Sequence, residues 1–167
     1  MKEPLKTKLT RWGFNLFPAY LATGARIIGM SDDLREVSLK LPLNWRTRNY
    51  VGTIFGGSMY AAVDPVYMIM LMKNLGPEYV VWDKAAKIHF KKPGRETLYA
   101  RFALDAEEIA YIETMLDASS CVELEYLADL TDESGEVHAS VEKTFYIRRK
   151  DPSGLEKEEV LALEQKV

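Results

Sequence analysis

The sequence predicts an α+β fold in which one antiparallel β-sheet wraps around a central hydrophobic helix. Three observations carry that expectation. Residues 49–75 open on Gly56-Gly57 and then run apolar from 59 to 72, interrupted only by Asp64-Pro65. A helix apolar on every side must be buried on every side, and this one is too short and interrupted to cross a bilayer comfortably. After Gly76-Pro77 the pattern changes to strict alternation, the mark of strands with one buried and one wet face. A sheet with a single apolar face and a helix apolar all round satisfy each other when one encloses the other.

In chain order, Leu5, Leu9, Trp12 and Leu16 recur at helical spacing with Lys6, Lys8 and Arg11 among them. They predict an amphipathic, basic helix within about residues 4–22, stopped by Pro18 or Gly24. Its expected place is across the outside of the fold, with the leucine stripe as packing face and no part in chemistry. Contact with a membrane surface is the alternative its basic residues raise, and it calls for a stronger moment than these residues clearly provide. Residues 25–30 and 35–41 read as a hairpin around Ser31-Asp32-Asp33, and residues 44–53 are polar and basic. Beyond the central helix, Ala86, Ile88 and Phe90 begin a strand that Pro93-Gly94 ends. Alternating runs follow over 98–104, 122–130 and 137–149, with an acidic helical turn or two across 105–117. The four strands after the helix are expected to form a meander. Residues 1–150 then make one domain, and 151–167 a charged, peripheral tail.

With 167 residues, nearly half of them hydrophobic, the chain can bury a core of ordinary size. A net charge of -3 leaves no basic footprint for nucleic acid. A single cysteine, Cys121, excludes an internal disulfide framework, and His89 and His138 lie too far apart in sequence to suggest zinc. No metal is expected, and the expected compartment is the cytoplasm, since the apolar run 16–22 contains Pro18 and Tyr20 and makes a poor signal peptide. His89 falls on the polar side of its strand and is expected at the surface.

Asp64 stands out because a carboxylate inside an apolar helix is costly unless something pairs with it or uses it. It could be a general base or nucleophile, or a structural carboxylate linked to the irregularity at Pro65. Gly56 and Gly57 stand where the helix begins, and the first N–H groups of a helix can receive a developing oxyanion. The pair could equally serve close helix–sheet packing. Asn49 could orient water or a carbonyl, or cap its loop. The methionines 59, 68, 70 and 72 are expected as core or tunnel lining.

Asn49, Gly52, Gly56-Gly57 and Asp64 match in type and spacing a pattern of the hotdog-fold thioesterases. Over residues 25–149 the chain resembles that superfamily, in particular its phenylacetyl-CoA thioesterase-like branch. It is most similar there to a subgroup described only as a domain of unknown function, which shares Gly-Thr-Ile-Phe-Gly-Gly, here residues 52–57. The resemblance implies a hotdog fold and an acyl-CoA thioesterase in which Asp64 is base or nucleophile. Gly56 and Gly57 would supply the oxyanion hole and Asn49 would orient the reactants. It also implies a site completed across a homodimer or dimer of dimers, with CoA entering only as part of the substrate and no separate cofactor. Phe55 departs from the pattern, since the branch has a histidine there, and Met68 and Leu71 stand where a Ser or Thr often follows. The departures keep open a non-catalytic protein that binds acyl thioesters or lipids. A dehydratase would need a His/acid pair near the helix start, and none is apparent. Arg46, Arg48, Lys87, Lys91, Lys92 and Arg95 are candidates for CoA or carrier phosphates.

Overall fold

The computed structural model describes residues 4–150; the tail expected over 151–167 lies outside the described residues. Its elements are α1 (Leu5–Leu16), α2 (Pro18–Thr23), β1 (Arg26–Met30), β2 (Glu36–Leu41), α3 (Gly56–Leu75), β3 (Tyr79–Phe90), β4 (Leu98–Ala103), α4 (Ala106–Ala118), β5 (Cys121–Thr131) and β6 (Val137–Arg149). Helix α3 is the buried centre. Its Met59, Ala62, Val63, Val66, Met70 and Leu71 all lie in the core, on more than one side of the helix. It packs on β2, β3, β4, β5 and β6, which is the hotdog arrangement of one curved sheet around one helix. Gly76 ends it with φ 100°, a conformation that only glycine adopts without strain.

The six strands run antiparallel in the order β1-β2-β4-β5-β6-β3. This corrects the expected meander, because β3 pairs with β6 rather than with β4. Length decides the matter: the 12 residues of β3 find a matching partner in the 13 of β6, whereas the six of β4 pair along their whole length with β2 and meet β5 only at Tyr99–Thr131. Strand β3 also starts at Tyr79, well before the expected residue 86. A bulge between Asp83 and Ala85 changes which residues face inward, and so hides the early half from a reading based on alternation. The acidic segment forms 13 residues of helix, more than a turn or two. Asp105 caps it by accepting from the Glu108 N–H at 2.7 Å, Glu107 and Glu108 suit its first turn, and Ile112 and Leu116 anchor it.

The N-terminal helix forms, with a break at Phe17 before Pro18, but it faces the opposite way to the expectation. Leu5, Leu9, Trp12 and Leu16 point outward, each more than half exposed. The inner contacts are polar as well as apolar: Thr7 is buried and its hydroxyl donates to Asp32, while Asn15 bonds both the N–H and the carbonyl of Ile27 at 2.8 and 2.9 Å. Asn15 thus does for the outer edge of β1 what a further strand would do. Tyr20 of α2 reaches α3, donating to the Ala62 carbonyl at 3.2 Å.

Candidate functional site

Helix α3 begins at Gly56 behind an extended Phe55, and no side chain caps it. The turn before it is built by Asn49. The Asn49 Oδ1 accepts from the N–H groups of Val51 and Thr53 at 3.1 and 3.0 Å, and its Nδ2 donates to Thr53 Oγ1 at 2.9 Å and the Ile54 carbonyl at 3.4 Å. Those contacts use the whole bonding capacity of the amide within the loop. On the far side, Ile54 N–H donates to the Gly94 carbonyl at 2.8 Å, tying Pro93-Gly94 to the helix start. A Cβ on the buried Gly94 would lie 2.9 Å from the Met59 methyl and 3.3 Å from Ile54 Cβ, so glycine is what lets this loop close. The result is a cleft of about 430 Å³ lined by Asn49, Thr53, Gly56, Phe90 and Lys91-Lys92 among others. The glycine pair also serves packing. A Cβ on Gly56 would sit 2.8 Å from the Phe90 ring, and one on Gly57 would sit 2.3 Å from the Phe55 ring. Both rings are more than half exposed and cover the helix start from outside.

Asp64 lies elsewhere. Among the described residues it is the single charged one on the wall of a second, apolar cavity of about 730 Å³ between α3 and the N-terminal helices. Phe14 and Phe17 contribute from α1 and the residue after it, Tyr20 from α2, and Met68 and Met70 from α3. The helices expected to stand apart from the chemistry therefore wall the space that holds Asp64. Of the other methionines, Met59 lines the first cleft and Met72 is half exposed.

Of the alternatives raised for Asp64, the structure supplies a pairing partner, and the carboxylate is only partly buried. The Asp64 side chain is 38% exposed, and its Oδ1 receives the Lys143 ammonium at 2.5 Å. Lys143 itself is 2% exposed, and it also holds Asp83 Oδ1 at 2.7 Å and the Asp64 backbone carbonyl at 3.1 Å. A buried ammonium needs this: two carboxylates and a carbonyl replace the water it has lost. Burial alone would push its pKa down, but the bonds to Asp64 and Asp83 hold it above the ordinary lysine value. Tyr60 completes the group; burial first, and then the Asp64 carboxylate, raise its phenol pKa.

Sequence reasoning missed Lys143, Asp83 and Tyr60, although two of them left a signal. Lys143 shares the inward parity of Val141, Phe145 and Ile147 on β6, and Asp83 that of Tyr79 and Val81 on β3. A lysine and an aspartate out of place on buried faces point to each other.

Several of the remaining candidates are held by neighbours. His89 lies at the surface with Nε2 3.3 Å from Glu142. His138 is buried, its ring nitrogens 3.1 Å from the Pro93 carbonyl and 3.2 Å from Asp132, and so it braces the loop beneath the first cleft. Asp132, Glu136 and His138 are the one grouping of potential metal ligands among the described residues. Their bonds are already committed: Asp132 closes the β5–β6 turn through Ser134 and the Glu136 N–H, and Glu136 pairs with Lys92. The Ser134 hydroxyl, followed by His138 and the turn N–H groups, holds the Asp132 carboxyl well below the usual range. Of the basic candidates, Arg46 donates to the Leu21 carbonyl at 2.5 Å, whereas Lys91 and Lys92 reach the first cleft.

Residues 6–147 match the family described as a domain of unknown function, DUF4442. No curated protein matches the chain significantly. Among solved structures, the chain is similar to a Pseudomonas aeruginosa protein of unknown function described as a probable thioesterase. The identity is 23% and the TM-score 0.78, over 88% of this chain and 98% of that one. A Chlorobaculum tepidum protein of unknown function aligns at 17% identity and TM-score 0.67, over 86% of this chain and 94% of that one. A thioesterase from Haemophilus influenzae aligns at 14% identity and TM-score 0.63, over 89% and 93%.

Proposed function

This chain belongs to the DUF4442 family, and from that premise we propose that it hydrolyses an acyl thioester, with acyl-CoA as the leading substrate class. The observation that carries the reading is Asp64, the only charge that the described residues bring to the wall of an apolar cavity and part of the same helix whose first N–H groups lack a side-chain cap. The thioesterase descriptions of two proteins with this fold agree with it. In the reaction, water attacks the thioester carbonyl carbon and passes its proton to the Asp64 carboxylate. The N–H groups of Gly56 and Gly57 receive the oxyanion, the C–S bond breaks, and the proton returns to the departing thiolate. Attack by Asp64 itself, through a mixed anhydride, is the covalent variant of the same site. Lys143 fixes the carboxylate, and Asn49 shapes the loop that presents the glycines; both are positioning residues. Lys91, at the first cleft beside the Glu136-paired Lys92, suits the phosphates of CoA.

One copy does not bring these groups together. Eight residues of α3 separate Gly56 from Asp64, about 12 Å along the axis. Strand β3 offers the remedy. It is an edge strand of 12 residues, with exposed Ala85, Ala86 and Lys87 at its middle. Its Phe90 end covers Gly56, while its Asp83 end shares Lys143 with Asp64. Two β3 strands paired antiparallel about a two-fold axis near Ala86 would lay the Phe90 end of one copy beside the Asp83 end of the other. The Gly56 amides of one copy would then face Asp64 of its partner, giving two sites per homodimer.

Phe55 favours a second reading. With its ring over Gly57 in place of an imidazole, the protein could bind acyl thioesters without cleaving them. Both readings meet one experiment: turnover of acyl-CoA substrates with short, long and aromatic acyl groups by wild type and Asp64→Asn. Hydrolysis by wild type that falls about 10²–10⁴-fold in the variant, the range for a lost general base, supports the first reading. Undiminished turnover in a folded Asp64→Asn protein sinks it. Binding of a non-hydrolysable analogue, with no turnover across the panel, selects the second.

A further inference from the structure

Helix α1 is inverted for a surface helix. Its buried threonine and its bonded asparagine face the protein, and Leu5, Leu9, Trp12 and Leu16 face out, 72, 64, 54 and 61% exposed. At about 100° per residue these four fall within roughly 60° of one another, so they form one narrow stripe. Phe17 and Leu21 extend the apolar surface along α2. The orientation is pinned: Asn15 is bonded twice to the Ile27 backbone and Thr7 to Asp32, so the helix cannot roll to hide its leucines without breaking those bonds.

The charge around the stripe says what covers it. Residues 4–31 contain Lys6, Lys8, Arg11 and Arg26 and no Asp or Glu, in a chain whose net charge is -3. Lys6 and Lys8 are exposed and flank the stripe on either side. Long basic side chains beside a Leu/Trp face suit a bilayer, where the apolar face sinks to the acyl boundary and the ammonium groups reach anionic headgroups. A second copy of this acidic protein would also attract the lysines, but an obligate protein interface is depleted of lysine. We propose that the outer face of α1 and α2 docks this protein onto the surface of an anionic lipid bilayer, lying on it and not spanning it. The same helices roof the cavity that holds Asp64, so docking sets that cavity against the lipid. The proposal does not depend on whether the protein is a hydrolase.

Vesicle flotation of the full chain tests it, with phosphatidylcholine alone and with phosphatidylcholine:phosphatidylglycerol at about 3:1. Wild type should float with the anionic vesicles and much less with the neutral ones, and added salt should release it. Leu9→Glu/Trp12→Glu should abolish flotation, and Lys6→Glu/Lys8→Glu should lower partitioning about tenfold or more, both with unchanged circular dichroism. Absence of flotation with anionic vesicles overturns the proposal, as does flotation that survives Leu9→Glu/Trp12→Glu. Light scattering without lipid supplies the third outcome. A fall in oligomeric state for Leu9→Glu/Trp12→Glu would make the stripe an interface between copies and also overturn the proposal.

Discussion

Replacing Lys143 with methionine isolates what the buried ammonium does. Methionine keeps much of the volume and fits between Val141 and Phe145, but it leaves Asp64 and Asp83 facing each other without the charge between them. Breaking a fully buried pair costs about 3–5 kcal/mol. Here the two carboxylates are 38 and 31% exposed and can take up water, so a cost at or below the bottom of that range, about 2–3 kcal/mol, is expected. In urea that is a midpoint lower by roughly 1–2 M for a chain of this size. Changing Asp83 to Asn in the same background should return part of the loss, because one of the two facing charges is gone. The pH dependence gives a second readout. The Lys143 pKa is raised on folding, so its contribution is fully present below the unfolded value of about 10.4 and is lost as pH rises through the higher folded value. Wild type should therefore lose stability in alkali above about pH 10.4, and Lys143→Met should lack that component of the loss. A Lys143→Met protein with the midpoint and the alkaline slope of wild type would refute the reasoning.

Two further predictions concern the cleft and the sharing of sites. Gly94→Ala places a methyl group 2.9 Å from Met59 and 3.3 Å from Ile54 in an enclosed setting, so it should cost about 1–3 kcal/mol, read as a lower melting temperature; an unchanged one would mean the loop can yield. If each site joins Gly56 of one copy to Asp64 of the other, then Gly56→Val and Asp64→Asn are each inactive alone. Mixed in equal amounts and allowed to exchange, they should recover about a quarter of wild-type turnover, since half the dimers are mixed and each of those has one intact site. Exchange without recovery would place both groups in sites made by single copies.

The centre of the fold was legible because its signal is redundant: a helix as apolar as residues 59–72 has to be enclosed, and the alternating strands that follow it supply the enclosure. The strand order was not, since alternation reports which face of a strand is buried and says nothing about its neighbour. β3 was half hidden besides, because the bulge at Asp83–Ala85 breaks the parity on which a sequence reading depends. The N-terminal helix shows the opposite failure. The stripe of Leu5, Leu9, Trp12 and Leu16 was read correctly as a stripe, yet amphipathicity cannot say whether the apolar side meets protein or something else. Thr7 and Asn15 decide it, through bonds to Asp32 and Ile27 that no local pattern encodes.

The site was legible to a similar depth and failed for a similar reason. Asp64 was conspicuous because a charge in an apolar helix has to be explained, but the explanation lies 79 residues away in Lys143. Pairing changes what Asp64 implies. A carboxylate without a partner argues for function by elimination, whereas one held by a buried lysine already has a structural reason to exist. What still argues for chemistry is that Lys143 is almost fully buried while Asp64 keeps over a third of its side chain open, on the wall of an apolar cavity. A pair retained only for architecture has no need to leave one member within reach of a ligand. That asymmetry, with the ammonium inside and the carboxylate at the cavity, is what a positioned base or nucleophile requires.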